Sequence, residues 1–270
     1  MKQLRGVECV IKSNYSLFLI KDLSEDIKQF IREYFSSICF GSDSKNQRRA
    51  ICSYKKSVIE FLERYEKKHK RIQLGMIGEL LVHFIFINYF GKYKTVTPFF
   101  NMEEHSIKKG FDLVLTETDN PSLWITEVKS GEPNLNKTVS YSIGALIERA
   151  NKDLLERLNQ KNISLWSEAI NGAMCSFDRN NNLKDAVIDV LTDYENEAVE
   201  GNYSSYGKNV ILAGVLFSSM DKNINELDIK RKYDCIFNQK RFNQLNVLAV
   251  QKGTFRKVYE FLKQEASCEE

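Results

Sequence analysis

Two β-rich runs constrain this chain more than anything else in it: Phe111-Asp112-Leu113-Val114-Leu115 and Trp124-Ile125-Thr126-Glu127-Val128-Lys129-Ser130. A turn built on Asp119, Asn120 and Pro121 separates them, so they read as neighbouring strands of one sheet. Side chains alternate along a strand, which puts Glu127 and Lys129 on the face of Leu123 and Ile125, and Trp124, Thr126 and Val128 on the other. A charged pair therefore emerges at the end of a mostly apolar strand, with Asp112 opening the strand beside it. Two carboxylates and an ammonium can converge on that spot.

The surrounding pattern alternates helices and strands. Residues 7–20 read as one or two strands, Ser24 caps an amphipathic helix over 25–35, and a second helix runs over 46–68 after a polar break at 41–45. A third helix, 73–90, is apolar around most of its circumference, which buries it against a sheet and other helices. It carries Gly75 and Gly78, whose cost in a helix accompanies close backbone approach, and a buried carboxylate, Glu79, that needs a cation. His83, one turn on, reads as a core histidine or a further polar ligand. Strands follow at 94–100 and in the two opening runs, and Thr138 starts a long helix. Two more helical stretches, 165–174 and 183–200, flank the polar loop 178–182. Then come a doubly buried strand at 210–217, a charged helical segment, a strand at 247–250 and a closing helix. The order predicts an α/β fold with a mixed central sheet flanked by helices. Residues 1–70 read as a mainly helical N-terminal extension, strands plus two helices, whose Phe30, Tyr34, Phe35 and Tyr65 either dock a partner or are covered by the core. Residues 71–270 carry the main domain with helical insertions.

A net charge of +3 over 270 residues permits contact with nucleic acid without requiring it. The densest positive cluster, Lys67-Lys68-His69-Lys70-Arg71, is either a solvated helix end or a patch for phosphates. Six cysteines form no Cys-x-x-Cys pair and there are only three histidines, which excludes zinc-finger spacing and fits a reducing cytoplasm. The N-terminus lacks the apolar core of a secretory signal, and Glu79 in the middle of the run 72–90 argues against a membrane span.

Phosphodiester hydrolysis is the chemistry this constellation suits. Mg²⁺, or Mn²⁺ in its place, prefers carboxylate oxygens and water, and neutralises charge on a scissile phosphate. Asp112 and Glu127 supply such oxygens, the Val128 carbonyl can add another, and Glu79 completes the anionic cluster or holds a metal-bound water. Lys129 orients the attacking water or steadies the phosphate. Glu-x-Lys alone is common on exposed strands, where it forms an ion pair worth little.

Gly78-Glu79, Gly110-Phe111-Asp112 and Glu127-Val128-Lys129 together resemble the PD-(D/E)xK nuclease superfamily in content and in order, with Phe111 standing where that family has proline. The longer runs Gly75-Met76-Ile77-Gly78-Glu79-Leu80-Leu81, Lys109-Gly110-Phe111-Asp112 and Trp124 through Gly131 resemble the nuclease subunit of Hachiman-type anti-phage defence systems. These motifs cover about a fifth of the chain. The resemblance implies a restriction-endonuclease-like core, a catalytic set of Glu79, Asp112, Glu127 and Lys129, and metal ligands from Asp112, Glu127, Val128 and Glu79. It also implies Mg²⁺-dependent cleavage of DNA beside a DExD/H-box helicase subunit. No Walker phosphate loop is present, so an ATP-driven step belongs to that partner. Two other readings stay open: a non-catalytic module that binds DNA ends or the helicase, and a repair or recombination nuclease outside defence.

Overall fold

The strand Asn209–Phe217 is buried along all but its first residue, as a continuous apolar run requires of a strand covered on both faces. In the computed structural model, which describes residues 3–41, 50–100, 110–177 and 182–268, this strand lies near the middle of one seven-stranded sheet. The polar break after residue 41, the loop at 101–109 with Lys108 and Lys109, and most of the loop at 178–182 lie outside the described residues.

In chain order the elements are β1 (Val7–Ile11), β2 (Tyr15–Ile20), α1 (Glu25–Phe40), α2 (Tyr54–Glu66), α3 (Lys70–Tyr89), β3 (Tyr93–Thr95), β4 (Leu113–Glu117), β5 (Leu123–Gly131), α4 (Val139–Leu158), α5 (Ile163–Ser176), α6 (Asn182–Val199), β6 (Asn209–Phe217), α7 (Glu226–Phe237), β7 (Gln244–Lys252) and α8 (Arg256–Ser267). The sheet runs β1-β2-β7-β6-β5-β4-β3. β2, β7, β6 and β5 are mutually parallel, and antiparallel hairpins close both edges. It is the mixed sheet flanked by helices that the sequence pattern predicts.

Alternation along the strands divides the core in two. Trp124 and Val128 of β5 join α1, α2, α3 and α8 on one face, while Leu123 and Ile125 join α4, α5, α6 and α7 on the other. Residues 7–66 contribute to this same sheet and core: β2 pairs with β7, and Phe30, Phe35 and Tyr65 are buried. Among the described residues one helix, α3, is long and apolar enough to cross a membrane, and two-thirds of that stretch is packed inside the protein.

Local hydrogen bonds set the boundaries. Ser24 accepts from the Ile27 amide to start α1, and Thr138 from the Tyr141 amide to start α4, both where the sequence places them. The second helix begins at Tyr54, later than residue 46, because Ser53 caps it by accepting from the Lys56 amide after a short 3₁₀ turn. The expected strand over 94–100 is only three residues long. Beyond it the Phe99 and Phe100 amides donate to the Ile38 and Cys39 carbonyls, and Pro98 has no N–H to offer a ladder, so the chain leaves the sheet for the end of α1.

β7 ends on a fully buried lysine. The Lys252 side chain is 0% exposed, and its ammonium has no hydrogen-bond partner among the described residues. Burial, with the charge of Lys257 and against that of Asp22, lowers its pKa from 10.5 to about 8. A lysine whose folded pKa lies below its unfolded one costs stability below about pH 8, and that cost fades as pH rises toward 10.5. Lys252→Met is therefore expected to stabilise the protein by about 3 kcal/mol at pH 7, with the margin shrinking at pH 9.5. Urea unfolding at the two pH values checks this, and a margin that does not shrink would contradict it.

Candidate active site

α3 and β5 meet at a point where only glycine fits. A Cβ on Gly78 would lie 1.8 Å from Ser130 Oγ and 2.9 Å from Ser130 Cβ. This close approach brings Glu79, the next residue of α3, to the neighbourhood of Lys129, the residue before Ser130. Gly78→Ala is expected to cost about 2 kcal/mol by overpacking, and Ser130→Gly to recover part of that loss in the double variant. Denaturant unfolding of the four proteins tests it, and an additive cycle would show that the two sites do not press on each other. Gly75, expected to serve the same purpose, does not: apart from its chain neighbours and the backbone of its own helix, no described atom lies within 4 Å of a Cβ placed there.

Glu79, Asp112, Val128 and Lys129 line one cleft of about 620 Å³, with Arg149 and Asp153 of α4 on its wall and Lys68, His69 and Arg71 at the α2–α3 corner. Glu79 is half-buried and faces this cleft, where the apolar run around it suggests full burial. Asp112 stands just before β4, one residue outside the strand expected to begin at Phe111. Its Oδ2 accepts from the Val128 N–H at 2.7 Å, so a side chain takes the place a ladder carbonyl would fill and the pairing of β4 with β5 stops at Leu113. His83 is 1% exposed, sits edge-on to Phe99 and does not line the cleft.

Glu127 is buried beside the cleft, 1% exposed. Lys129 Nζ donates to its Oε1 at 2.6 Å and Arg157 Nη1 to its Oε2 at 2.7 Å. Lys129 Nζ also lies 3.0 Å from Asp153 Oδ2, and Arg157 Nη2 donates to the Gly110 carbonyl at 2.6 Å. Burial, then the charge of Asp112, pushes the Glu127 carboxyl up to about 7 against the pull of Arg157 and Lys129. For Lys129 burial works the other way, but the charges and hydrogen bonds of Glu127, Asp112 and Asp153 outweigh it and hold its pKa above the usual lysine value. Lys129 is therefore an ammonium at neutral pH, a donor and a positive charge but not a base.

A family model described as HamA matches residues 5–259. The chain belongs to the HamA family. That family is the one of Hachiman anti-phage defence, which gives the protein a role in defence. A search of curated proteins finds no match.

Two charged residues of this HamA-family chain escape a motif reading. Asp153 and Arg157 lie four apart on α4, so they share one helical face, and both reach the Glu-x-Lys pair from there. Their spacing of four on the polar flank of the helix is the only sequence signal they leave. The metal ligands expected from sequence are not drawn into a ready-made cluster: among the described residues no group of three His, Cys, Asp or Glu is spaced to hold a metal ion. Both oxygens of Glu127 are engaged by cations, Lys129 and Arg157.

Proposed function

We propose that this protein is a metal-dependent deoxyribonuclease that hydrolyses phosphodiester bonds during anti-phage defence in the cytoplasm, beside a DExD/H-box helicase subunit. The observation that carries the reading is the convergence of Glu79, Asp112 and Lys129, from three separate elements, in one cleft with Glu127 directly behind them. The donor chemistry fits a hard divalent ion, because the carboxylates Glu79, Asp112 and Asp153 line the cleft and outnumber its softer donors, His69 and Met76. Glu79, Asp112 and Glu127 would hold Mg²⁺ or Mn²⁺, which when bound supplies Lewis acidity and an acidic water.

The chain's own groups have distinct tasks. Asp112 lines the cleft and is held in place there by the Val128 N–H, which donates to its Oδ2. Lys129, kept charged by three carboxylates, steadies the anionic phosphate or orients the attacking water. Asp153 holds the Lys129 ammonium from α4 and so orients it. Arg157 ties Glu127 to the Gly110 carbonyl, joining the Glu-x-Lys strand to the segment that leads into Asp112.

One observation favours the alternative of a non-catalytic binding module, namely that Glu127 has both oxygens on cations rather than open to a metal. The two readings separate in one assay. Purified protein, alone and with its helicase, is expected to degrade linear, circular or single-stranded DNA in Mg²⁺ or Mn²⁺ and to stop when EDTA is added. Binding without cleavage under every one of those conditions would favour the module.

A further inference from the structure

Three cations of the cleft are not used by the ion pairs described so far. Lys68, at the end of α2, Arg71, in the first turn of α3, and Arg149, on α4, all line it, and none forms an ion pair among the described residues. By contrast the neighbouring Lys70 pairs with Glu132, and Arg64 with Glu60. Arg71, Gly75 and Glu79 then fall four residues apart, in one row along the face of α3 that lines the cleft. Gly75 sits between the cation and the carboxylate, and no described atom occupies the space a side chain there would fill. Between rim and reaction centre α3 lines the cleft with Ile72, Gly75 and Met76, none of them charged.

We propose that a nucleic-acid strand enters the cleft at the α2–α3 corner, with Lys68 and Arg71 on one backbone segment and Arg149 across from them, and passes over Gly75 to the centre at Glu79. This rests on the nuclease reading above and names the path its substrate takes. At 1.5 Å of rise per residue, Arg71 lies about 12 Å along α3 from Glu79. That is roughly three to four nucleotides along a helical strand. The contacts are to phosphate, so they supply affinity and register but no sequence preference.

The test uses the full chain and a fluorescein-labelled duplex with a single-stranded tail, titrated in EDTA over a range of salt so that binding is read without cleavage. Lys68→Ala and Arg71→Ala are each expected to weaken binding and to reduce the slope of log affinity against log salt by about one, and the pair by about two. Gly75→Phe is expected to weaken binding at least tenfold while keeping the wild-type melting temperature and Mn²⁺ binding by calorimetry. Gly75→Ala, a better helix former in open space, is expected to melt no lower than wild type. Unchanged slopes in the double variant, wild-type binding by Gly75→Phe, or no binding by the wild type would each overturn the path. Binding that shifts as expected with no cleavage in any metal would leave the path standing and remove the nuclease reading. Cleavage with unchanged slopes would do the reverse.

Discussion

Lys129→Met is expected to lower the rate of DNA cleavage by on the order of 10³-fold, the scale seen when one charged transition-state donor is removed. The side chain is the meeting point of the site: its ammonium touches Glu127 and Asp153 and lines the cleft with Asp112 and Glu79. Three carboxylates keep it charged, so its contribution is electrostatic and is lost with the charge. Methionine keeps most of the stem's packing, and Arg157 still faces Glu127, so the fold is expected to survive. Single-turnover cleavage in Mg²⁺, with thermal unfolding as the control for folding, checks this. A folded variant within tenfold of wild type would remove Lys129 from the chemistry.

Arg157→Ala is expected to act on stability as well as on rate. Removing one partner of a buried ion pair leaves the other charge uncompensated, and Glu127 is nearly inaccessible to water. A loss of about 3 kcal/mol follows, tempered because Arg157 itself is a quarter exposed. The rate should fall too, since the guanidinium also ties down Gly110, two residues before Asp112. Arg157→Lys separates the two roles. A lysine restores the countercharge but cannot span Glu127 and the Gly110 carbonyl with a planar fork. Stability is expected to recover while cleavage stays about tenfold below wild type. Full recovery of both in the lysine variant would reduce Arg157 to a countercharge.

Much of this architecture is legible in the residues because it is periodic. The alternation in β5 sorts Trp124 and Val128 from Leu123 and Ile125, and the structure sends those pairs to opposite cores. The capping residues Ser24 and Thr138 stand where their helices begin. Legibility ends where a side chain stands in for backbone: Asp112 accepts the Val128 N–H and cuts β4 short, which no propensity encodes. It ends again where contacts span the chain. Asp153 and Arg157 meet residues 24 to 47 positions earlier, and along their own helix they look like an ordinary polar flank. Glu79 was visible as an anomaly in an apolar helix. Its half-exposed place on a cleft wall depends on the way α3 packs across β5 at Gly78.

The most direct measurement is the rate of cleavage of a defined DNA in Mg²⁺ by the wild-type protein and by Glu127→Gln, with its helicase present and EDTA as the blank. Metal-dependent cleavage by the wild type that falls by two orders of magnitude or more in a folded Glu127→Gln variant is the expected result. Equal cleavage by the two proteins, or cleavage that persists in EDTA, would contradict a metal-dependent centre built on Glu79, Asp112, Glu127 and Lys129.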